Sequence, residues 1–430
     1  MTTLDSPPVT QRLLATGGPE HAGLANHLAV HGTLPVPERR DRDFAPRLVA
    51  AIEQSGLTGR GGGGFPTGKK MALLAAQRRR PVIAVNTMEG EPASHKDEVL
   101  ATSSPHLVLD GAELVARALG AVGIKVCVAH DRPATANALA LAIDERAAAG
   151  LLSVPTEVVT PPGRYVSGEE SALVHWLDGG ESTPTFRVEK PTILRVGGRP
   201  TLVDNAETMA NIGLIGRYGP VWFREVGAPD APGTTLLTVS GAVSRPGIYE
   251  IPLGTRVDRV LTGAGADSGI AAVLLGGYGG AWLGPQHFSS PLTPSAMATA
   301  GASIGAGVVV ALATSSCGLA ETARIAHWMA GESAGQCGPC VFGLPAIAED
   351  LTLLAAGRSS HSVLERLCHR LDEVEGRGAC GHPDGVVRIV RSALSVFADD
   401  LASHLRSGPC PGSRAHTVLA LPGRDGGPWR

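Results

Sequence analysis

The chain has almost no net charge: 37 Lys and Arg stand against 40 Asp and Glu, leaving −3 over 430 residues. Nothing in that balance offers a basic field to a polyphosphate, so nucleic acid is not an expected partner. Long apolar runs are missing too. The longest, around Ile304 to Ala313, is too short and too rich in glycine to cross a bilayer. Met1-Thr2-Thr3-Leu4-Asp5-Ser6-Pro7-Pro8 has neither the basic n-region nor the apolar core of a secretory leader. The expectation is a cytoplasmic protein with no direct membrane insertion. Cysteine is also sparse, with seven at 127, 317, 337, 340, 368, 380 and 410. An odd, uneven set in such a chain is a poor disulfide framework. Cys127 sits in the strand-like run Ile124 to Ala129, and Cys368 shares a helical stripe with Leu364, Leu367 and Leu371, so both read as core residues.

What the chain does have is length for two to four domains, 43% hydrophobic residues for their cores, and 56 glycines. Four of those glycines are consecutive, in Gly59-Arg60-Gly61-Gly62-Gly63-Gly64-Phe65-Pro66-Thr67-Gly68-Lys69-Lys70. No side chain there separates the backbone from an approaching ligand, and glycine tolerates the positive φ that an anion-binding nest needs. Lys70 is near enough to supply a cation, and Met71 to Ala76 reads as the first turns of a helix whose dipole favours a phosphate. Gly59, Gly61 and Gly64 match G-x-G-x-x-G formally, but a dinucleotide fingerprint follows a strand and this loop follows the helical run Pro46 to Glu53. The stiff Phe65-Pro66 pair argues against a floppy linker.

Along the chain, residues 1–44 read as an extended arm with one short helix. Residues 45–230 alternate strand and helix: a buried strand at 81–86, a helix at 106–120, a strand at 124–129, a helix at 133–149 and a strand at 154–160. That alternation predicts a mostly parallel sheet covered by helices. Two polar turns follow apolar runs, Thr87-Met88-Glu89-Gly90-Glu91-Pro92 and Asp204-Asn205-Ala206-Glu207. In open α/β sheets ligands bind at such strand ends. Gly168-Glu169-Glu170 opens a helix, where acidic residues are favoured without any ligand; binding sugar or amide groups, or repelling an anion, is the functional alternative. Residues 231–315 turn to short strands: a hairpin over 235–252, a helix at 257–261 and a strand at 272–276, a β-grasp-like unit. Residues 316–407 carry four amphipathic segments, 319–331, 341–357, 361–374 and 385–406, which predict a four-helix bundle. The Gly/Pro/Arg-rich tail, 408–430, reads as disordered.

Cys337-Gly338-Pro339-Cys340 joins the first two of those helices and Gly378-Ala379-Cys380-Gly381 the last two. A C-x-x-C pair plus a remote cysteine suits an iron–sulfur cluster. Zinc with His382 as fourth ligand, or a thiol redox pair, stays open on spacing alone.

With these motifs in order from about 45 to 405, the chain resembles the NADH-binding flavoprotein subunit of respiratory complex I and of NAD-linked hydrogenases and formate dehydrogenases. The resemblance implies an FMN- and NADH-binding α/β domain, a ubiquitin-like β-grasp (SLBB-type) domain and a helix bundle with a [4Fe–4S] cluster. It assigns FMN phosphate to the loop of Gly59, Arg60, Gly61, Gly62 and Gly64, with Lys70 nearby. Around the flavin it places Asn86, Glu89, Glu91, Asp204 and Asn205. Gly168, Glu169 and Glu170 fall at the nicotinamide nucleotide, Phe65 on its adenine, and Tyr165 over the flavin; Glu89 and Tyr165 are the expected catalytic pair. Cys337, Cys340 and Cys380 are the expected metal ligands.

Several positions depart from the family pattern. The family loop reads E-S-C-G-x-C-x-x-C, whereas here Ala334 stands at the first ligand in Glu332-Ser333-Ala334-Gly335-Gln336-Cys337-Gly338-Pro339-Cys340. The expected cluster is therefore labile or [3Fe–4S], with His382 or Cys317 as substitute ligands. Met88 replaces an aspartate, Asp204 an asparagine and Val341 an arginine, and no second adenine-stacking aromatic stands near Val188-Glu189-Lys190. The expected activity is transfer of electrons from NAD(P)H through FMN and the cluster to a protein acceptor. That acceptor is a ferredoxin-like iron–sulfur protein or complex I-like subunits, which would make the protein peripheral to a membrane complex. The alternative is a non-catalytic relay or scaffold subunit with a degenerate cluster site.

Overall fold

The structure, a computed structural model, describes residues 11–37, 41–186, 193–358, 360–414, 417–422 and 429. The first unit opens with helices α1 (Leu24–His31), α2 (Phe44–Ser55) and α3 (Thr67–Ala75) and strand β1 (Val82–Thr87). Helices α4 (Lys96–Ser103) and α5 (Pro105–Leu119) lead to β2 (Gly123–Val128), and α6 (Pro133–Ala148) leads to β3 (Thr156–Val159). After α7 (Glu170–Leu177) come β4 (Arg195–Val196), β5 (Arg199–Asn205) and α8 (Ala206–Arg224). The strand order is β3-β2-β1-β5-β4, parallel except for the antiparallel β4. Val82-Ile83-Ala84-Val85 is buried throughout, as expected of a strand covered on both faces. Successive strands run outward from β1 on one side, and the chain then returns to lay β5 on its other side. That reversal is a topological switch point, where a crevice opens beyond the strand ends. In register, Asn86 pairs with Asn205 across it.

Helices α5 and α8 cover one face and approach closely enough that a Cβ on Gly111 would lie 1.8 Å from the Met209 carbonyl oxygen. Only glycine allows that contact.

A short ribbon of β6 (Gly227–Ala228) and β7 (Ala231–Pro232) precedes a second five-stranded sheet. Its members are β8 (Thr234–Gly241), β9 (Gly247–Pro252), β10 (Ile270–Leu275), β11 (Ala281–Leu283) and β12 (Val308–Ala313), in the order β11-β10-β12-β8-β9. The apolar run too short for a membrane supplies β12, the middle strand, parallel to β8. Alternate residues face two cores. Val273, Val309 and Ala311 meet α9 (Val257–Gly263) and α10 (Pro294–Thr299), while Leu274, Val310 and Leu312 meet the C-terminal helices.

Those helices are α11 (Gly318–Gly331), α12 (Leu344–Ala355), α13 (His361–Val374), α14 (His382–Val396) and α15 (Ala398–Ser407). The single helix expected over 385–406 is in fact α14 and α15, broken at Phe397. The Phe397 ring is held edge-on to Trp282 at 5.2 Å, and a Cβ on Gly318 would lie 2.1 Å from it. This tertiary anchoring outweighs the continuous helical pattern. Disorder after Gly408 does not describe the tail's placed residues either. Pro411–Arg414 forms a helical turn, Leu419 is buried, and the amides of Val418 and Leu419 donate to the Glu321 carboxylate at 3.0 and 3.3 Å. Near the other terminus, Leu13 and Leu14 are buried, and Glu250 accepts the amides of Arg12, Leu13 and Leu14. The region of Val188-Glu189-Lys190 lies outside the described residues. Among the described residues no helix is long and apolar enough to cross a membrane.

Candidate functional site

The glycine loop is closed at its neck by a bridge between Thr58 and Pro66 and by the Gly59 amide donating to the Phe65 carbonyl at 2.9 Å. Gly62 (φ 101°) and Gly64 (φ 60°) take left-handed conformations that side chains resist, and nothing lies within 4 Å of where a Gly63 Cβ would stand. Arg60 is spent on bracing this loop. Its amide donates to Thr208 Oγ1 at 2.9 Å, and its buried guanidinium faces Glu207 at 3.9 Å and the carbonyls of Pro232 and Thr234. Bare backbone from Gly61 to Gly64 is what remains toward the crevice.

Two adjoining cavities, of about 460 and 520 Å³, meet at Gly61, Gly63, Asn86, Gly168, Glu169 and Asn205. The larger holds Phe65 at its wall, 41% exposed, with Lys70, Glu170 and Asp204 deeper in. Lys70 Nζ pairs with Glu170, lies 3.5 Å from Asp204 Oδ1, and donates to the Val203 carbonyl. Burial alone would lower its pKa, but the two carboxylates outweigh that and raise it. Burial also raises the Asp204 pKa, against the pull of Lys70. Glu169 takes the bland role open to it: it caps α7, accepting the amides of Ser171 at 2.8 Å and Ala172 at 3.1 Å.

In the smaller cavity, Asn86 donates to the Gly168 carbonyl at 2.8 Å, tying the end of β1 to the loop before α7. Met88, where the family has aspartate, is buried beneath Gly168, whose Cβ would lie 3.1 Å away. Asn205 caps α8 through the Glu207 amide at 3.0 Å and donates to Asp97 at 2.6 Å. Glu89, with φ 42°, is the one non-glycine in the left-handed region among the described residues. Its carboxylate accepts the amides of Asp97 and Glu98, both at 2.9 Å, and the Ser94 hydroxyl at 2.8 Å. It therefore caps α4 from the cavity wall, and the strained backbone is what delivers it there.

Glu91 and Tyr165 form the far wall. The Tyr165 hydroxyl donates to Glu91 Oε2 at 3.2 Å, and the Tyr278 amide donates to the same oxygen at 2.8 Å. Burial pushes the Glu91 carboxyl up to about 7. The Tyr165 ring stands edge-on to Trp328 at 5.6 Å and beside His382 at 5.4 Å. Cys380, Gly381 and His382 line this same cavity.

Burial pushes the Cys340 thiol up to about 12, and Cys337 and Cys380 nearby act in the same direction. The three cysteines are thus near enough to influence one another, and Ala334 offers no sulfur. His382 Nε2 faces the Met329 carbonyl at 2.9 Å. Cys317, weighed as a substitute, instead lies 3.9 Å from His404. The glycine cradle and twin cavities fit a phosphate-bearing flavin. The thiols fit a cluster through three of its irons.

Sequence reasoning missed Lys96. Buried on the cavity wall, it pairs with Asp97 at 2.8 Å and Glu207 at 2.9 Å. Trp328 and the turn at Gly276 to Gly280 were missed as well, and no local pattern announces either.

Three family models match the chain: the Nuo51 FMN-binding domain over residues 52–214, the SLBB domain over 236–266, and the NADH-ubiquinone oxidoreductase-F iron-sulfur binding region over 313–404. The NADH-quinone oxidoreductase F subunits of Mycobacterium bovis and of Mycobacterium tuberculosis are each 31% identical over 395 residues, 88% of this chain and 89% of theirs. The F subunit of Streptomyces coelicolor is 29% identical over 377 residues, 85% of this chain and 84% of its own. Among solved structures, an NAD+-reducing [NiFe]-hydrogenase in the H2-reduced state superposes with a TM-score of 0.78 at 32% identity. It covers 85% of this chain, which spans 64% of that hydrogenase chain. The cradle, the neighbouring thiols and these matches lead to one conclusion: the chain belongs to the family of NADH-quinone oxidoreductase F subunits, which are FMN-dependent NADH-oxidising oxidoreductases with a 4Fe–4S region.

Proposed function

We propose that this chain takes electrons from NADH at an FMN held against the glycine loop and passes them through a cluster at Cys337, Cys340 and Cys380 to a protein acceptor. The acceptor is a ferredoxin-like iron–sulfur protein or the neighbouring subunits of a complex I-type assembly. The observation that carries this reading is the shared cavity: Gly61 to Gly63, Asn86 and Tyr165 line the same space as Cys380 and His382. A donor site and a relay site that share one wall need no long tunnelling path.

When bound, FMN supplies acceptance of a two-electron hydride and release of single electrons. The chain's residues do the rest. Backbone amides from Gly61 to Gly64 bind the phosphate, with Lys70 as the cation behind it. Asp204 and Asn205, set by the end of β5, orient the ring and its chain. Gly168 to Glu170 and Phe65 hold the nucleotide. Glu91 holds a proton near neutral pH under the Tyr165 hydroxyl, which suits a group that must give or take one at each turnover.

In this reading α11 to α14 are the four-helix bundle around the cluster, and β8, β9, α9, β10 and β12 the β-grasp core. The protein works in the cytoplasm, alone or on the periphery of a membrane complex. Anaerobic addition of NADH to the purified protein tests the donor half: the flavin absorbance should bleach within the mixing time. Protein that carries FMN but stays coloured would favour the scaffold alternative.

A further inference from the structure

Outside the flavin and cluster sites, one other group of metal-ligating side chains is gathered among the described residues. Cys317, His404 and Cys410 bring two sulfurs and an imidazole nitrogen to within 4.8 Å of one another. We propose that these three residues form a separate site for a single thiophilic divalent cation, of which zinc is the type.

The three ligands come from separate segments. Cys317 caps the start of α11, with its sulfur accepting the Ala320 amide at 3.4 Å. The helix start there offsets part of the burial that raises this thiol. His404 lies in the last turn of α15 with its side chain wholly buried. Its Nε2 stands 3.9 Å from Cys317 Sγ and accepts the Cys410 amide at 3.1 Å. That contact makes Nε2 the lone-pair nitrogen with the proton on Nδ1, and since the nitrogen has one lone pair, a bound cation takes it over from the Cys410 amide. The loop carrying Cys410 is pressed onto the start of α11: a Cβ on Gly412 would lie 2.7 Å from the Ser315 carbonyl oxygen and 3.0 Å from the Cys317 nitrogen. The backbone therefore already holds the ligands together.

The spacing suits one ion. With zinc–sulfur bonds of about 2.3 Å and zinc–nitrogen bonds of about 2.0–2.1 Å, tetrahedral ligand pairs sit about 3.6 Å (S to N) and about 3.8 Å (S to S) apart. Small rotations of Cys317 and Cys410 close the remaining gap. Two thiolates and an imidazole select a soft or borderline ion over magnesium or calcium. Cys410 is only half-buried, so water can complete the tetrahedron. Binding is a proton exchange without oxidation: two thiols and M²⁺ give M(S–Cys)₂ and two protons. The ion would staple the end of α15 and the C-terminal segment to the start of α11, the helix whose far end leads into the Ser333 to Cys340 loop.

The test uses the full chain with Cys337, Cys340 and Cys380 replaced by serine, so that cobalt–thiolate absorption reports only this site. Titrating Co²⁺ into that reduced, metal-free protein should give a thiolate-to-cobalt charge-transfer band that saturates at one equivalent and is bleached by zinc. Adding Cys410→Ser should abolish it. In parallel, wild-type protein purified anaerobically should contain zinc in addition to iron, with Cys317 and Cys410 protected from alkylation until a chelator is added. That second measurement decides the matter if the serine variant does not fold. No charge-transfer band at micromolar protein, a band that survives Cys410→Ser, or a native disulfide between Cys317 and Cys410 would each overturn the proposal.

Discussion

Tyr165 Oη lies 3.2 Å from Glu91 Oε2, joining the loop before α7 to the turn after β1 at the cavity wall. The same carboxylate accepts the Tyr278 amide, and Glu89 is the neighbouring charge that raises it further. Burial is the main reason its carboxyl is pushed from 4.5 up to about 7.

That shift has a sign that can be measured. Between about pH 4.5 and 7 the folded state holds the Glu91 proton more tightly than the unfolded chain, so stability should fall as pH rises through that window. The full shift corresponds to an effect on the order of 3 kcal/mol. Glu91→Gln keeps the shape and removes the proton, so its melting temperature should fall less than wild type between about pH 5 and 8. Parallel curves for the two proteins would show that some other group titrates there. The variant should also lose the neutral-pH limb of the NADH oxidation profile.

Lys70 is expected to bind the flavin phosphate while pinned by Glu170 and Asp204. Lys70→Ala should weaken FMN binding by roughly 1–3 kcal/mol, the range for hydrogen bonds to charged groups. It also strands Asp204 in the core, so the apoprotein should melt earlier, and Asp204→Asn should restore much of that stability without restoring flavin affinity. Isothermal titration and thermal melts of the single and double variants separate the two effects. Undiminished FMN affinity in Lys70→Ala would remove the lysine from the phosphate site.

What the sequence disclosed here is what local pattern can carry. Four consecutive glycines before a helix, an apolar strand ending in a polar turn, and a C-x-x-C followed by a distant cysteine are all visible within short windows. Lys96 is not, because its value comes from Glu207, which meets it from a distant segment. Arg60 is set by distant segments as well. Its place inside the glycine loop suggests a phosphate ligand, yet Glu207 and the carbonyls of Pro232 and Thr234 draw its side chain away. Glu89 lines the cavity and also caps α4, a second role set by how its turn folds onto that helix. Each of these outcomes depends on which segments fold against each other, and no single window holds that.

Nucleotide choice should follow the two carboxylates beside the second cavity. Glu169 and Glu170 place negative charge where a 2′-phosphate would have to enter, so kcat/KM should favour NADH over NADPH. Glu170→Gln should narrow the ratio, and in doing so it also frees Lys70 to meet the phosphate. Steady-state ferricyanide reduction with each nucleotide measures this, and NADPH performing equally well in the wild type would rule it out.

The cluster should betray its missing ligand. Cys337, Cys340 and Cys380 can hold three irons of a cubane, and Ala334 leaves the fourth without a thiolate. The replacements weighed from sequence are engaged elsewhere, His382 at the Met329 carbonyl and Cys317 with His404. Ser333 stands beside Ala334 in the same turn, where its hydroxyl accepts the Gly335 amide at 3.0 Å. Wild-type protein reconstituted under argon should therefore show a four-iron cluster that converts to [3Fe–4S] on brief exposure to air, read as the growth of its EPR signal. Ala334→Cys should suppress that conversion several-fold. Ser333→Ala should speed it if the serine oxygen serves the fourth iron, and leave it unchanged if water does. An air-stable cluster in both wild type and Ser333→Ala would mean that a residue other than these completes the site, and iron and sulfide analysis of His382→Ala would be the next discriminating measurement.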